Sequence, residues 1–178
     1  MSLLNISYLN EALIEKNILQ PDKILNHVRK RLIESVSQDA SEMAMQDGMD
    51  CILMCYDKTY NTISYAAAHN APVVVRNGEL KSLQADKMPV GKVEKADPFT
   101  LHSTGIQKGD CIYLYTDGFA DQFGGPKGKK FKYKQLNDLL LQHTTLPMKD
   151  QKEFLSASLQ AWKGNLEQVD DICVLGFR

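Results

Sequence analysis

Gly109-Asp110-Cys111-Ile112-Tyr113-Leu114-Tyr115-Thr116-Asp117-Gly118-Phe119-Ala120-Asp121 is the stretch whose reading decides the fold. Cys111 to Tyr115 is a short apolar run rich in β-formers, which predicts a buried strand. The run breaks into Thr-Asp-Gly. A carboxylate at that point is costly unless something uses it. Its common uses are a hydrogen-bonded turn or a hard cation bound through oxygen, and spacing alone favours the turn, because Asp-Gly is common at strand ends. A second stretch of the same kind closes the chain. Asp170 and Asp171 stand directly before the apolar run Ile172 to Leu175. Were the two strands neighbours, Asp117 and Asp170 would meet at one sheet edge and offer oxygen donors suited to Mg²⁺ or Mn²⁺. An Asp that simply caps a turn at the strand entry is the competing reading.

The rest of the chain is read outward from these two strands. Leu3, Leu4, Ile6, Leu9, Leu13 and Ile14 recur at near-helical spacing, and predict a helix within Met1 to Asn17. Pro21 and Asp22 suit the first turn of a second helix, whose stripe Ile24, Leu25, Val28, Leu32, Ile33 and Val36 runs to about Val36. Arg29-Lys30-Arg31 reads as its solvated face. Ser37 to Gly48 reads as a polar connection.

Strands are then expected over about Asp50–Tyr56, Thr62–Ala68, Pro72–Arg76 and Glu79–Leu83, with a weaker one at Phe99–Ser103. Asp57 to Asn61 and Asn77-Gly78 are the hairpin turns, Asn-Gly being the stronger signal. Lys127 to Lys134 places five lysines around Phe131 and Tyr133 and reads as a loop, with attraction of a phosphorylated protein as the second reading. Tyr133–Gln142 and Lys149–Trp162 are helical, the latter anchored by Phe154, Leu155, Leu159 and Trp162. Strands in hairpin order with helices at both ends give an α+β domain with an antiparallel sheet core.

Composition bounds the function. At 178 residues the chain reads as a single domain, 1–178, able to bury roughly 70% of its unfolded surface. Lys plus Arg total 21 against 22 acidic residues, and a net charge of -1 argues against a general nucleic-acid binder. No apolar run approaches the roughly 20 residues of a membrane span, and Met1 to Asn17 lacks the order of a signal peptide. Cys51, Cys55, Cys111 and Cys173 lie in apolar runs and read as buried free thiols in a reducing cytoplasm.

Tyr-Thr-Asp117-Gly118-Phe-Ala-Asp121, followed by Asp170-Asp171-Ile-Cys-Val-Leu, resembles the last two motifs of the metal-dependent serine/threonine phosphatases, most closely their bacterial SpoIIE-like branch. Asp47-Gly48-Met49-Asp50, Ala68-His69-Asn70-Ala71-Pro72 and Met88-Pro89-Val90-Gly91 agree in order, and Asp121 to Phe131 looks typical of one subgroup. The resemblance runs from about Asn10 onward. It implies two packed sheets forming an antiparallel β-sandwich flanked by helices, with a Mn²⁺ or Mg²⁺ pair at one edge. In the family that pair holds a water that attacks a phosphoserine or phosphothreonine.

Asp117 and Asp170 would be metal ligands. Asp171 would be the lesser of its pair and orient the strand, and Gly118 would allow the tight turn. Asp121 would stand beside the metal or be structural, and His69 would shape a turn near the sheet. No side chain is expected as a protein nucleophile. The implied partners are a phosphorylated signalling protein, such as an anti-sigma-factor antagonist, and a sensor module, with no nucleic acid or membrane contact by this domain.

The sequence departs from the family in one respect. The Asp-x-x-Gly-His-Gly motif with its bridging Asp, and the acidic Gly-Gly-Asp motif before it, do not occur. The chain therefore reads as the C-terminal part of such a domain, with little activity by itself and a sheet edge that could drive homodimerisation. The alternative is a non-catalytic interaction module that keeps the fold.

Overall fold

A computed structural model describes residues 2–38, 48–93 and 97–178. Contacts divide the chain into two compact units, 1–71 with 84–106 and 72–83 with 107–178.

The first unit begins with helix α1, Ser2–Asn10, which runs into a π-helical turn, Glu11–Glu15. Helix α2 spans Pro21–Gln38. Strands β1 (Cys51–Asp57), β2 (Thr62–Ala68) and β5 (His102–Gly105) form an antiparallel sheet in the order β1-β2-β5. The α2 stripe is set by helical periodicity, and Ile24, Leu25, Val28 and Leu32 pack with Tyr8, Ala66, Ala68, Met88, Val90 and Phe99.

Two expectations are corrected here. Arg29 is not on a solvated face: it is 8% exposed, its guanidinium lies 4.8 Å over the Phe99 ring, and it donates to the Asp97 carbonyl at 2.9 Å. The second concerns the strand placed at Phe99–Ser103, which begins only at His102. Phe99 N donates to Asn26 Oδ1 (3.2 Å) and Thr100 N to Asp86 Oδ2 (2.8 Å), so side chains take the bonds a ladder would have used. Part of the expected connection Ser37–Gly48, residues 39–47, lies outside the described residues.

The second unit holds β3 (Val73–Arg76), β4 (Glu79–Ser82), β6 (Cys111–Tyr115) and β9 (Val174–Phe177), an antiparallel sheet in the order β4-β3-β6-β9. Asn77-Gly78 joins β3 to β4 with both residues at positive φ, 52° and 78°, as a two-residue hairpin of the right twist requires. Between β6 and β9 run α3 (Gly118–Asp121), the small hairpin β7 (Phe123–Gly124) and β8 (Lys129–Lys130), then α4 (Tyr133–His143) and α5 (Met148–Lys163). Neither α3 nor the hairpin was expected from the sequence.

Val73, Val75, Cys111, Tyr113, Tyr115, Phe119, Phe131, Leu136 and Leu140 form this unit's core. Phe154, expected as an anchor of α5, is instead 48% exposed and rests against the His143 ring at 4.5 Å. All four cysteines are free thiols, but Cys55 and Cys173 are exposed rather than buried. Cys55 lies in β1 and Cys173 directly precedes β9, which are the outer strands of their sheets among the described residues. No helix among the described residues is long and apolar enough to cross a membrane.

Candidate metal centre

The candidate site is built wholly from the second unit, at the end of β6. The strand is apolar and buried, and it pairs with β9 in the register Tyr115↔Val174. Thr116 extends that pairing by one residue. Its N–H donates to the Cys173 carbonyl (3.0 Å), and its hydroxyl accepts from Cys173 N (3.0 Å) while donating to the Asp171 carbonyl (2.9 Å). One side chain therefore closes the sheet end by bonds to both chain directions.

Immediately beyond, Asp117 turns the chain into α3. It stands at the position before the helix, at φ -70° and ψ -21°, and its side chain makes no capping bond. Gly118 then lies against the returning chain. A Cβ there would sit 2.5 Å from the Asp171 carbonyl oxygen and 3.1 Å from Ile172 Cγ1. Only glycine permits this approach. Asp117 and the Asp170-Asp171 pair thus stand at one end of the β6–β9 pairing.

Asp170 and Asp171 are both exposed. The Asp170 carboxylate accepts from Asp171 N at 2.7 Å, while its backbone carbonyl accepts from Gln168 Nε2 at 2.8 Å. Asp171 contributes through its backbone, as the acceptor for Thr116. Asp121, one turn on, receives Lys130 Nζ at 2.8 Å and so is engaged in an ion pair. Behind the site the Tyr115 hydroxyl is pushed up to about 12 by burial, and it remains a neutral donor to Asn137 Oδ1 at 3.1 Å.

His69 belongs to the first unit. It adopts φ +61°, its N–H donates to the Asp86 carbonyl, and its Nδ1 lies 2.8 Å from Asp50 Oδ1. Asn70 N donates to the Ala68 carbonyl at 2.7 Å, so this segment is a turn. Thr116, Asp50 and the Arg76–Asp110 pair were not singled out from the sequence. Thr between a strand and Asp-Gly was the one available signal for Thr116.

Carboxylate oxygens at an exposed sheet end suit Mg²⁺ or Mn²⁺. Yet among the described residues no three His, Cys, Asp or Glu side chains converge as a metal site. Two carboxylates do not fit a binuclear centre, and the described residues alone do not make one.

An antiparallel α+β fold, with an acidic pair at the end of the strand that breaks into Asp-Gly, defines the class: the chain has the fold of the PP2C-type phosphatase domains. The family of Stage II sporulation protein E (SpoIIE) matches residues 2–178, and the chain belongs to it. Among solved structures, the SiaA-PP2C domain of Pseudomonas aeruginosa matches with a TM-score of 0.84 at 25% identity, over 99% of this chain and 67% of that one.

The PP2C phosphatase domain of SpoIIE from Bacillus subtilis, solved with a fragment of its regulatory domain, matches with a TM-score of 0.69 at 13% identity, over 97% and 47%. The catalytic domain of the serine/threonine protein phosphatase PstP, in complex with two manganese ions, matches with a TM-score of 0.63 at 15% identity, over 97% and 77%. The chain thus spans 67% and 47% of the length of the first two. No curated protein matches the sequence.

Proposed function

We propose that these residues are the C-terminal part of a SpoIIE-type protein serine/threonine phosphatase domain, which removes phosphate from phosphoserine or phosphothreonine on a signalling protein. Asp117 and Asp170 are its contribution to a Mn²⁺ or Mg²⁺ centre. The observation that carries the reading is the closure of the β6–β9 end, where Gly118 lies against the Asp171 carbonyl and Thr116 ties the two chains. That closure supports the reading by holding Gly118 and Thr116, the neighbours of Asp117, against the Asp171 carbonyl, next to Asp170.

The remaining ligands, including the bridging Asp, come from an Asp-x-x-Gly-His-Gly segment that is not in this sequence. The isolated chain therefore has little or no turnover. Asp171 orients the strand entry through its backbone, Gly118 permits the close approach, Asp121 anchors a lysine, and His69 shapes the turn after β2. The parent protein acts in the cytoplasm under a sensor module, with a partner-switching protein such as an anti-sigma-factor antagonist as substrate.

The second reading is a non-catalytic interaction module. Its support is the lack of a third converging ligand among the described residues. The test is hydrolysis of a phosphoserine protein by the gene product read with its upstream frame. The enzyme reading expects Mn²⁺-dependent release of phosphate that falls to background in Asp117→Asn and in Asp170→Asn. An upstream frame without the missing motif, and a folded protein with no Mn²⁺-dependent release, would leave the interaction module.

A further inference from the structure

The 14 residues Asp121 to Lys134 carry five lysines against one aspartate, in a chain whose net charge is -1. All five, Lys127, Lys129, Lys130, Lys132 and Lys134, are exposed. Lys130 pairs with Asp121 and lies 5.9 Å over the Phe123 ring. The other four have no carboxylate partner among the described residues.

A charged segment of this kind is ordinarily a solvated loop, but this one is fixed. Gly125 N donates to the Trp162 carbonyl (2.8 Å) and Trp162 Nε1 to the Gln122 carbonyl (3.0 Å). Phe131 N donates to the Gln122 carbonyl (2.9 Å) and Lys132 N to the Ala120 carbonyl (2.7 Å). Phe131 stacks edge-on between Phe119 and Trp162, at 5.1 Å and 5.3 Å. Lys132 is held at φ +74°, a conformation unfavourable to any side chain. Strain held by several bonds at an exposed cation is more often found where a ligand is met than in a free loop. The anchor is α3, the four-residue helix Gly118–Asp121 that directly follows Asp117. The lysines are thereby tied by a short rigid path to the candidate metal centre.

We propose that this lysine hairpin is the docking surface for the acidic flank of the phosphorylated protein substrate. The proposal deepens the phosphatase reading and rests on it for the identity of the partner. Uncompensated lysines raise the local concentration of an anionic partner and orient it, with an effect that weakens as salt rises. Their place beside α3 would set the register between the acidic flank and the residue to be dephosphorylated.

The test is fluorescence anisotropy of the 178-residue chain at low salt, without metal. The probes are a phosphoserine peptide with Asp/Glu flanks, the same peptide with Gln/Ser flanks, and a short DNA duplex. The acidic-flank peptide is expected to bind at least about 5-fold more tightly than the neutral one, an advantage that fades with salt. Lys127→Glu with Lys129→Glu and Lys132→Glu should abolish the advantage, and Lys58→Glu in the first unit should leave it. Circular dichroism confirms that each variant is folded, and Lys→Gln replacements should give an intermediate loss.

No preference for acidic flanks, an equal loss in Lys58→Glu, or tighter binding of the duplex would each overturn the proposal. The last would make nucleic acid the occupant. Since this assay needs neither metal nor turnover, its failure leaves the phosphatase reading intact. Failure of that reading would appear instead as absent Mn²⁺-dependent hydrolysis by the gene product read with its upstream frame, while charge-dependent binding by the 178-residue chain persists.

Discussion

Replacing Gly118 by alanine should destabilise the second unit, although alanine is the better helix former. Propensity alone would favour the change by up to about 1 kcal/mol. Against it, the new Cβ would lie 2.5 Å from the Asp171 carbonyl oxygen, where ordinary contact starts at 3.4 Å. Relief therefore needs a shift of about 0.9 Å, the difference between those two distances. The oxygen that must move is also the acceptor for Thr116 Oγ1 at 2.9 Å, and a shift of that size breaks the bond. Overpacking costs about 1–3 kcal/mol and the lost hydrogen bond about 1 kcal/mol more.

Net of propensity, a loss of about 1–3 kcal/mol is expected. The assay is urea unfolding followed by Trp162, the chain's single tryptophan, which packs in this unit. A fall in midpoint with unchanged slope is the expected result. Gly78→Ala serves as control: its φ of +78° is strained for alanine, but nothing lies within 4 Å of the new Cβ. A Gly118→Ala chain as stable as the parent would refute the close approach, and with it the basis for joining Asp117 to Asp170.

Other expectations follow from the same coordinates. The Asp110 carboxylate is buried, accepts from Arg76 Nε (3.0 Å) and Nη2 (2.6 Å), and caps Gln107 N (2.8 Å). The Arg76 guanidinium holds its carboxyl below the usual range, so the pair's contribution is complete above the unfolded Asp value near pH 4 and is lost as pH falls through the lower folded value. Asp110→Asn should cost about 2 kcal/mol at pH 7 and flatten the acid limb of a stability–pH curve. Tyr113→Phe removes the donor to buried Gln151 Oε1 (2.6 Å) and should cost about 1–3 kcal/mol in the same unfolding assay. Under native conditions a thiol reagent at pH 7.5 (roughly a unit below the free-thiol value) should modify Cys55 and Cys173 quickly. Cys111 is buried and Cys51 is pushed up to about 11 by burial, so both should react only on unfolding.

The regular elements were legible because their residues repeat with the backbone's own period. β2 and β6 were located to the residue from β-branched and aromatic runs, and Asn77-Gly78 from its need for positive φ. What stayed hidden depends on long-range partners. The burial of Arg29 needs the Phe99 ring and the Asp97 carbonyl, the latter 68 residues on in the sequence. The exposure of Cys55 and Cys173 follows from which strands end as sheet edges, and alternation does not encode that. At the candidate site, Asp117, Asp170 and Gly118 stood out as a carboxylate–glycine pattern at strand ends. The hydroxyl of Thr116, which closes the two chains, was marked only by its place between a strand and Asp-Gly, and its partners Asp171 and Cys173 lie more than fifty residues on.

The most direct measurement is Mn²⁺-dependent hydrolysis of a generic aryl phosphate by the 178-residue chain, run beside Asp117→Asn. On the proposed reading, in which Asp117 and Asp170 are this chain's contribution to a binuclear centre completed from elsewhere, no Mn²⁺-dependent turnover is expected in either form. Robust Mn²⁺-dependent turnover that disappears in Asp117→Asn would contradict this, and would mean that these residues complete the centre by themselves.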